Sequence, residues 1–180
     1  NEALLMDHLL KTTTDPKRKM YLLNHYLEQF RGTVFRQVKF AEFEKIIHEK
    51  AEAGEALTAD LLCVIYLDLN KQYYGSHMVV DEPIAMEWAR IPHFYSNFYV
   101  YKYATGFSAA QAIARYILEE GEPAVNRYLS FLKSGGSDTP INLLKKAGVD
   151  MTKPEPVREA MQTFGKLLDE LAALANQGEN

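Results

Sequence analysis

The feature that most constrains the fold is the absence of proline between Pro16 and Pro83. Proline ends or kinks a helix because it lacks a backbone N–H and clashes with the preceding turn, so its absence permits long helices. Between Lys17 and Ala53, apolar residues recur every three to four positions, which is the period of an amphipathic helix. We predict one long helix over this stretch, with a kink near Gly32.

Capping residues and breaks divide the rest of the chain into further helices. The side-chain oxygens of Asp15 and Thr58 can cap a first helical turn, and Gly54 can end the helix between them. The sequence lacks the long apolar–polar alternation of a strand. The further predicted helices run from Ala59 to Tyr74, Ile84 to Arg90, Phe98 to Leu118, Ala124 to Leu132, Pro140 to Gly148 and Val157 to Leu174.

Length and composition agree with a helical globular protein. A chain of 180 residues, 47% of them hydrophobic, can bury a core as one domain. We therefore predict an all-α fold that forms one helical unit over residues 1–180, with a flexible linker near residues 134–138, where serine and glycine cluster.

Charge and hydropathy narrow the classes of partner. A net charge of −4 gives no reason to expect nucleic acid. The sequence contains no apolar run that approaches the roughly 18 to 20 residues of a membrane span. We expect neither nucleic acid nor a membrane as a partner, and we expect a cytoplasmic location.

The strongest indication of a functional site is in residues 87–106, where one histidine precedes four tyrosines. A buried tyrosine must find a partner for its hydroxyl, and an ordinary core helix does not need so many phenols. We interpret the segment as the polar wall of a binding cleft. The alternative is that the tyrosines only pack helices together and hydrogen-bond to internal carbonyls. The residues concerned are His93, Tyr95, Tyr99, Tyr101 and Tyr103.

This segment resembles the substrate-binding region of the oligoendopeptidase F branch of the thimet oligopeptidase family of zinc peptidases. The resemblance covers nearly the whole chain, because shorter motifs on both sides match in order. It implies the helical C-terminal part of a zincin-like peptidase that acts on short peptides. The flanking motifs are Tyr73-Tyr74-Gly75, Asp81-Glu82, Ala109-Ala110-Gln111-Ala112 and Gly121-Glu122.

The zinc-binding motif of that family is missing from this sequence. The family binds zinc through His-Glu-x-x-His on one helix, where the two imidazoles lie at i and i+4 on one face, and through a glutamate on the next helix. The one His-Glu pair here is His48-Glu49, followed by Glu52 where the second histidine would stand. The resemblance places Asn1 to Leu5 just past the third zinc ligand. We therefore expect zinc in the intact enzyme and no metal ligand within this chain.

The resemblance also implies roles for the cluster. His93, Tyr99 and Tyr103 are the predicted catalytic residues, which donate hydrogen bonds to the substrate backbone and to the oxyanion that forms at the scissile peptide. Tyr95 and Tyr101 are the predicted substrate-binding residues. On a helix that starts near Phe98, Tyr99 and Tyr103 would share a face at i and i+4, and Tyr101 would point the other way. Which tyrosine is the oxyanion donor stays open.

Glu2 is a further candidate, at the N-terminal end of the chain. The resemblance places it two helical turns beyond the third zinc ligand, where its carboxylate could accept the free N–H of a histidine that binds the metal. The alternative is that Glu2 lies in a frayed, solvated helix end.

Two functional hypotheses remain. The first is the C-terminal part of a zinc-dependent endopeptidase that binds short peptides and requires the missing N-terminal part of the same enzyme, so that the fragment alone is inactive. The second is a stand-alone helical module for binding or assembly, without catalysis. Loss of the zinc-binding helices would leave an apolar surface around Ala3 to Leu10 and the tyrosine helix, through which we expect self-association.

Overall fold

The structure is a computed structural model that describes residues 1–177. The described part of the chain contains α-helices and shorter helical turns without a β-strand, so the all-α prediction is confirmed. None of its helices is both long enough and apolar enough to cross a bilayer. The α-helices are α1 (Glu2–Thr12), α2 (Pro16–Phe30), α3 (Arg36–Glu52), α4 (Ala59–Tyr74), α5 (Tyr101–Glu120), α6 (Glu122–Lys133), α7 (Pro140–Lys146) and α8 (Glu155–Gln177).

The predicted long helix is present, with its interruption near Gly32. A short π-helical turn at Arg31–Phe35 joins α2 to α3, and such turns are a known cause of helix kinks. The carboxylate of Asp15 accepts the backbone N–H of Arg18 at 3.0 Å, which is the predicted cap.

The helices group into two compact units. The first contains residues 1–31 together with the chain from Thr105 onward, and the second contains residues 32–104. The single helical unit over residues 1–180 stays a prediction. Residues 134–138 form the turn between α6 and α7, and their flexibility also stays a prediction.

The core of the first unit forms around Phe30, which is fully buried at the end of α2. Its ring centroid lies 4.8 Å from that of Phe107 in α5 and 5.6 Å from that of Phe164 in α8. The hydroxyl of Tyr26 donates to Oε1 of Gln111 at 2.7 Å, so its polar end is satisfied as well. These contacts join α2, α5 and α8.

A cavity of about 270 Å³ also lies within the first unit. Small residues of α5, Gly106, Ala109 and Ala110, form one side, and Leu4 from α1 contributes to the lining. Its walls are mostly apolar, and the cavity is open to the surface.

The second unit has an aromatic core between α3 and α4. Phe43 packs its ring edge-on against Tyr66, with centroids 5.2 Å apart, and Phe40 lies 6.3 Å from the same ring. Two short 3₁₀ segments, Glu82–Arg90 and Pro92–Tyr95, lie on this core. The predicted helix from Ile84 to Arg90 is therefore a 3₁₀ helix.

The predicted start of α5 at Phe98 is wrong, because the helix begins at Tyr101. Phe98 has a backbone φ of +54°, in the left-handed region, and a right-handed helix cannot run through such a residue. Tyr99 therefore lies in the turn before the helix.

Candidate functional site

His93 is held at the surface of the second unit by its neighbours. Pro92 fixes the backbone at the first position of the 3₁₀ segment Pro92–Tyr95. Ile91 is buried, and the ring of Phe94 packs 5.4 Å from the ring of Phe43 in the core. With apolar anchors on both sides, the imidazole of His93 is left exposed to solvent.

The turn that carries Tyr99 is anchored in a similar way. The carboxylate of Glu44, in α3, accepts the backbone N–H of Phe98 at 2.6 Å. The ring of Phe98 also packs edge-on against His48, with centroids 4.6 Å apart. Val100, on the other side of Tyr99, is buried in the core. The backbone of Tyr99 is thus fixed by contacts on both sides.

The structure brings His93, Tyr99 and Tyr103 together. The hydroxyl of Tyr103 lies 3.3 Å from Nε2 of His93, with the donor set by the imidazole tautomer. The ring of Tyr99 lies 5.5 Å from the imidazole and 5.6 Å from the ring of Tyr103, measured between centroids. The three side chains form one surface cluster, which we call the phenol–imidazole cluster.

The hydroxyl of Tyr103 is a hydrogen-bond donor at neutral pH. The hydrogen bond with Tyr99 raises the pKa of the Tyr103 hydroxyl above its ordinary value of 10.0. The ammonium group of Lys102 lies 5.1 Å from the ring centroid of Tyr99, within cation–π range. A protonated phenol beside a cation can stabilise negative charge that develops on a bound carbonyl oxygen.

The other predicted site residues lie outside this cluster. Tyr95 is 89% exposed at the end of its 3₁₀ segment. Tyr101 is the first residue of α5, and about half of its side chain is exposed. Glu2 lies in the first turn of α1 and is exposed. The roles assigned to these three residues stay predictions.

Comparison with known proteins identifies the family. The sequence profile of Peptidase family M3 matches residues 1–163. The chain belongs to peptidase family M3.

Relatives and solved structures of this M3 chain agree with that assignment. Oligopeptidase PepF of Bacillus subtilis (strain 168) is 60% identical over 174 residues, which cover 97% of this chain and 26% of that protein. Oligoendopeptidase F, chromosomal, of Lactococcus lactis subsp. cremoris is 47% identical, covering 99% of this chain and 30% of that protein. The crystal structure of oligoendopeptidase-F from Enterococcus faecium matches with a TM-score of 0.93 and 48% identity, over 96% of this chain and 33% of that chain. This M3 chain therefore spans roughly a quarter to a third of the length of these relatives.

The residues that the structure describes in this M3 chain do not form a recognisable zinc site. Its sequence lacks a His-Glu-x-x-His motif, and His48-Glu49 is followed by Glu52 instead of a second histidine. Within residues 1–177, no group of three His, Cys, Asp or Glu side chains is placed to hold a metal ion.

Sequence reasoning missed a buried ionic network beside the site. The carboxylate of Glu87 accepts the hydroxyl of Tyr66 at 2.6 Å, and its other oxygen lies 2.5 Å from Arg36 and 2.9 Å from Arg90. Burial by itself would raise the pKa of Glu87, but the hydrogen bonds from Tyr66 and Arg36 lower it below the ordinary value. The carboxylate thus stays ionised and anchors the 3₁₀ segment that precedes His93.

Proposed function

We propose that this chain is the C-terminal part of a zinc-dependent endopeptidase that hydrolyses short peptides. In this proposal it supplies residues that bind the substrate and stabilise the oxyanion. The observation that carries the proposal is the phenol–imidazole cluster, in a chain that belongs to peptidase family M3. The names of its relatives as oligopeptidases support peptides as the substrate class.

The cluster acts through hydrogen bonds that strengthen during the reaction. A peptide carbonyl oxygen carries a partial negative charge in the ground state and a nearly full charge in the tetrahedral transition state. The hydroxyls of Tyr99 and Tyr103 and an N–H of His93 are donors on adjacent groups, so they can contact one such oxygen and the neighbouring substrate amide. Donors already in place stabilise the transition state more than the ground state, and this difference accelerates the reaction.

The remaining predicted residues have supporting roles in this proposal. Tyr95 and Tyr101, both exposed, offer their phenols to the backbone of an extended peptide. Glu2 accepts a hydrogen bond from a histidine that binds zinc. The zinc ligands and the general base are supplied by another part of the enzyme, so the isolated chain is inactive. A cytoplasmic location agrees with the free thiol of Cys63, since reducing compartments keep thiols free.

The test is steady-state kinetics on the full-length protein, with zinc content verified for each variant. Tyr99→Phe and Tyr103→Phe each remove one hydroxyl and keep the ring, and His93→Ala removes the imidazole. We expect each change to lower kcat by about a hundredfold, or roughly 3 kcal/mol, with a smaller effect on KM. A quenched fluorescent peptide reports turnover.

Tyr101→Phe is the matched control, because it removes the same group from the first turn of α5. The kcat of this variant should stay within about twofold of wild type, and any effect of the substitution should appear in KM. If Tyr101→Phe abolishes turnover while the Tyr99 and Tyr103 variants are silent, the oxyanion donor lies elsewhere and the proposal fails. If the purified full-length protein captures peptides without cleaving them, the non-catalytic binding module is the correct description.

A further inference from the structure

The carboxylate of Glu44 is unusual because it is buried inside the second unit and contacts a backbone amide there. Glu44 is 2% exposed and lies in the middle of α3. Among the described residues, its hydrogen-bonding partner is the N–H of Phe98, at 2.6 Å. A buried carboxylate loses its hydration and is costly unless a strong hydrogen bond compensates. The hydrogen bond that the amide of Phe98 donates therefore compensates the burial of this carboxylate.

The backbone conformation of Phe98 requires contacts that hold it in place. A bulky residue at a φ of +54° is a genuine outlier, because its Cβ crowds the following carbonyl. Conformations of this kind persist where the surrounding structure imposes them, and they cluster at functional sites. Two side chains one turn apart on α3 hold Phe98 in place, since Glu44 binds its amide and His48 packs 4.6 Å from its ring.

The position of Phe98 decides where Tyr99 points. Tyr99 follows directly, and its ring lies 5.6 Å from Tyr103 and 5.5 Å from His93. If Phe98 relaxed to an ordinary φ, the backbone direction at Tyr99 would change and its hydroxyl would leave the cluster. A rigid helix therefore sets the location of a side chain that lies in a turn.

We propose that Glu44 is a positioning residue for catalysis. It holds Phe98 in the left-handed conformation, so that the hydroxyl of Tyr99 is already in place when the substrate binds. The inference rests on the proposed function, because it gives Tyr99 a catalytic role. A preorganised donor contributes to the transition state, so loss of Glu44 should lower kcat more than it raises KM.

The test compares Glu44→Gln with Glu42→Gln in the full-length protein. Gln keeps the shape of Glu but replaces a charge-assisted hydrogen bond with a neutral one of roughly half the strength. Glu42 is the matched control, because it lies on the same helix and accepts the hydroxyl of Tyr73 at 2.7 Å, away from Tyr99. We expect Glu44→Gln to lower kcat about tenfold with KM within twofold, and Glu42→Gln to leave both within twofold.

A double-mutant cycle separates positioning from a general loss of structure. If Glu44 acts through the hydroxyl of Tyr99, then Glu44→Gln should cost less than twofold in the Tyr99→Phe background. Glu44→Asp provides a second variant, because it keeps the charge but withdraws the carboxylate from the amide of Phe98. It should lower kcat by a factor similar to that of Glu44→Gln.

The outcomes distinguish the positioning role of Glu44 from the catalytic role of Tyr99. An equal loss from Glu44→Gln in both backgrounds, or silent Glu44 variants, overturns the positioning role while the function of Tyr99 stands. A silent Tyr99→Phe variant refutes the proposed role of Tyr99 and the inference with it. NMR of ring-labelled tyrosine gives a readout besides activity. The signal of Tyr99 should shift in Glu44→Gln and that of Tyr73 should not, with the reverse in Glu42→Gln, and an unmoved Tyr99 signal counts against positioning.

Discussion

The ammonium group of Lys39 is almost completely withdrawn from solvent in the second unit. Its Nζ donates to Oδ1 of Asn70 at 2.6 Å, and it lies 4.9 Å from the ring centroid of Tyr66 and 3.9 Å from Glu87. Burial lowers the pKa of Lys39 to about 8, against the opposing attraction of Glu87 and with a smaller lowering by Arg36. We predict that Lys39 makes folding stability rise between pH 8 and pH 10, and that Lys39→Met removes this rise.

Stability rises with pH in this range because the folded and unfolded chains bind different numbers of protons. An unfolded chain binds a proton on this lysine up to its ordinary pKa of 10.5, whereas the folded chain releases it near pH 8. Between those values the unfolded state holds more protons, so raising the pH favours the folded state. The difference of about 2.5 pKa units corresponds to a penalty of about 3 kcal/mol below pH 8, of which about 2.5 kcal/mol is relieved between pH 7 and pH 10.

Two tyrosines change folding stability in the opposite direction at high pH, and they set the highest pH at which the experiment is useful. Burial raises the pKa of Tyr66, and its hydrogen bond to Glu87 raises it further. Burial likewise raises the pKa of Tyr73, with a contribution from its bond to Glu42. Above pH 10 the unfolded chain releases these phenolic protons while the folded chain retains them, so stability falls again. Measurements should therefore stop at pH 10.

The assay is urea unfolding followed by far-UV circular dichroism at pH 7, 8, 9 and 10. The wild type should gain about 2.5 kcal/mol relative to Lys39→Met between pH 7 and pH 10. Lys45→Met is the control, because that lysine is on the same helix but exposed to solvent. Parallel pH profiles for wild type and Lys39→Met would refute the reasoning, since a lysine with an ordinary pKa contributes no difference in this window.

Three further predictions concern the chain by itself. The isolated chain should bind no stoichiometric zinc and should not cleave a quenched fluorescent peptide, and metal analysis showing one zinc per chain together with chelator-sensitive cleavage would contradict this. Phe30→Ala should destabilise the first unit by about 3 to 5 kcal/mol in urea unfolding, because the ring is fully buried against Phe107 and Phe164. Tyr21→Ala is the control, since this exposed residue should cost less than about 1 kcal/mol in the same experiment. The chain should also self-associate through the apolar surface around Ala3 to Leu10, so that Leu5→Glu, at an exposed position of α1, weakens association in sedimentation experiments and a strictly monomeric wild type would refute it.

Helix boundaries set by local chemistry were predictable from the sequence. The side chains of Asp15, Thr58 and Thr139 each accept a backbone N–H three residues later, and such caps depend only on nearby residues. The interruption near Gly32 was predictable for the same reason. The start of α5 was not, because it depends on a bond from Glu44 to the amide of Phe98, and these two residues are 54 positions apart.

The candidate site was predictable in part. The density of tyrosines after His93 marked the segment, and the structure does bring Tyr99 and Tyr103 together with it. The reason given was a shared helix face, whereas Tyr99 reaches the cluster from a turn. The buried polar residues of α3 gave no signal in the sequence, because on a charged helix Lys39 and Glu44 resemble residues that face solvent. Burial, which distinguishes them, is decided by tertiary packing.

The buried charges of the second unit have a common explanation in the backbone that they hold. The stretch from Glu82 to Val100 consists of 3₁₀ segments and turns, which provide few hydrogen bonds of their own. Polar side chains of α3 replace them, since Arg36 binds Glu87 before His93, and Glu44 binds Phe98 before Tyr99. Both hydrogen bonds are partly buried, where water competes less than at the surface, so they fix the irregular backbone more firmly than exposed ones would. One regular helix thereby holds both sides of the segment that carries His93. Burying these polar groups has a desolvation cost, and the hydrogen bonds that offset it fix a backbone that apolar packing alone would leave loose.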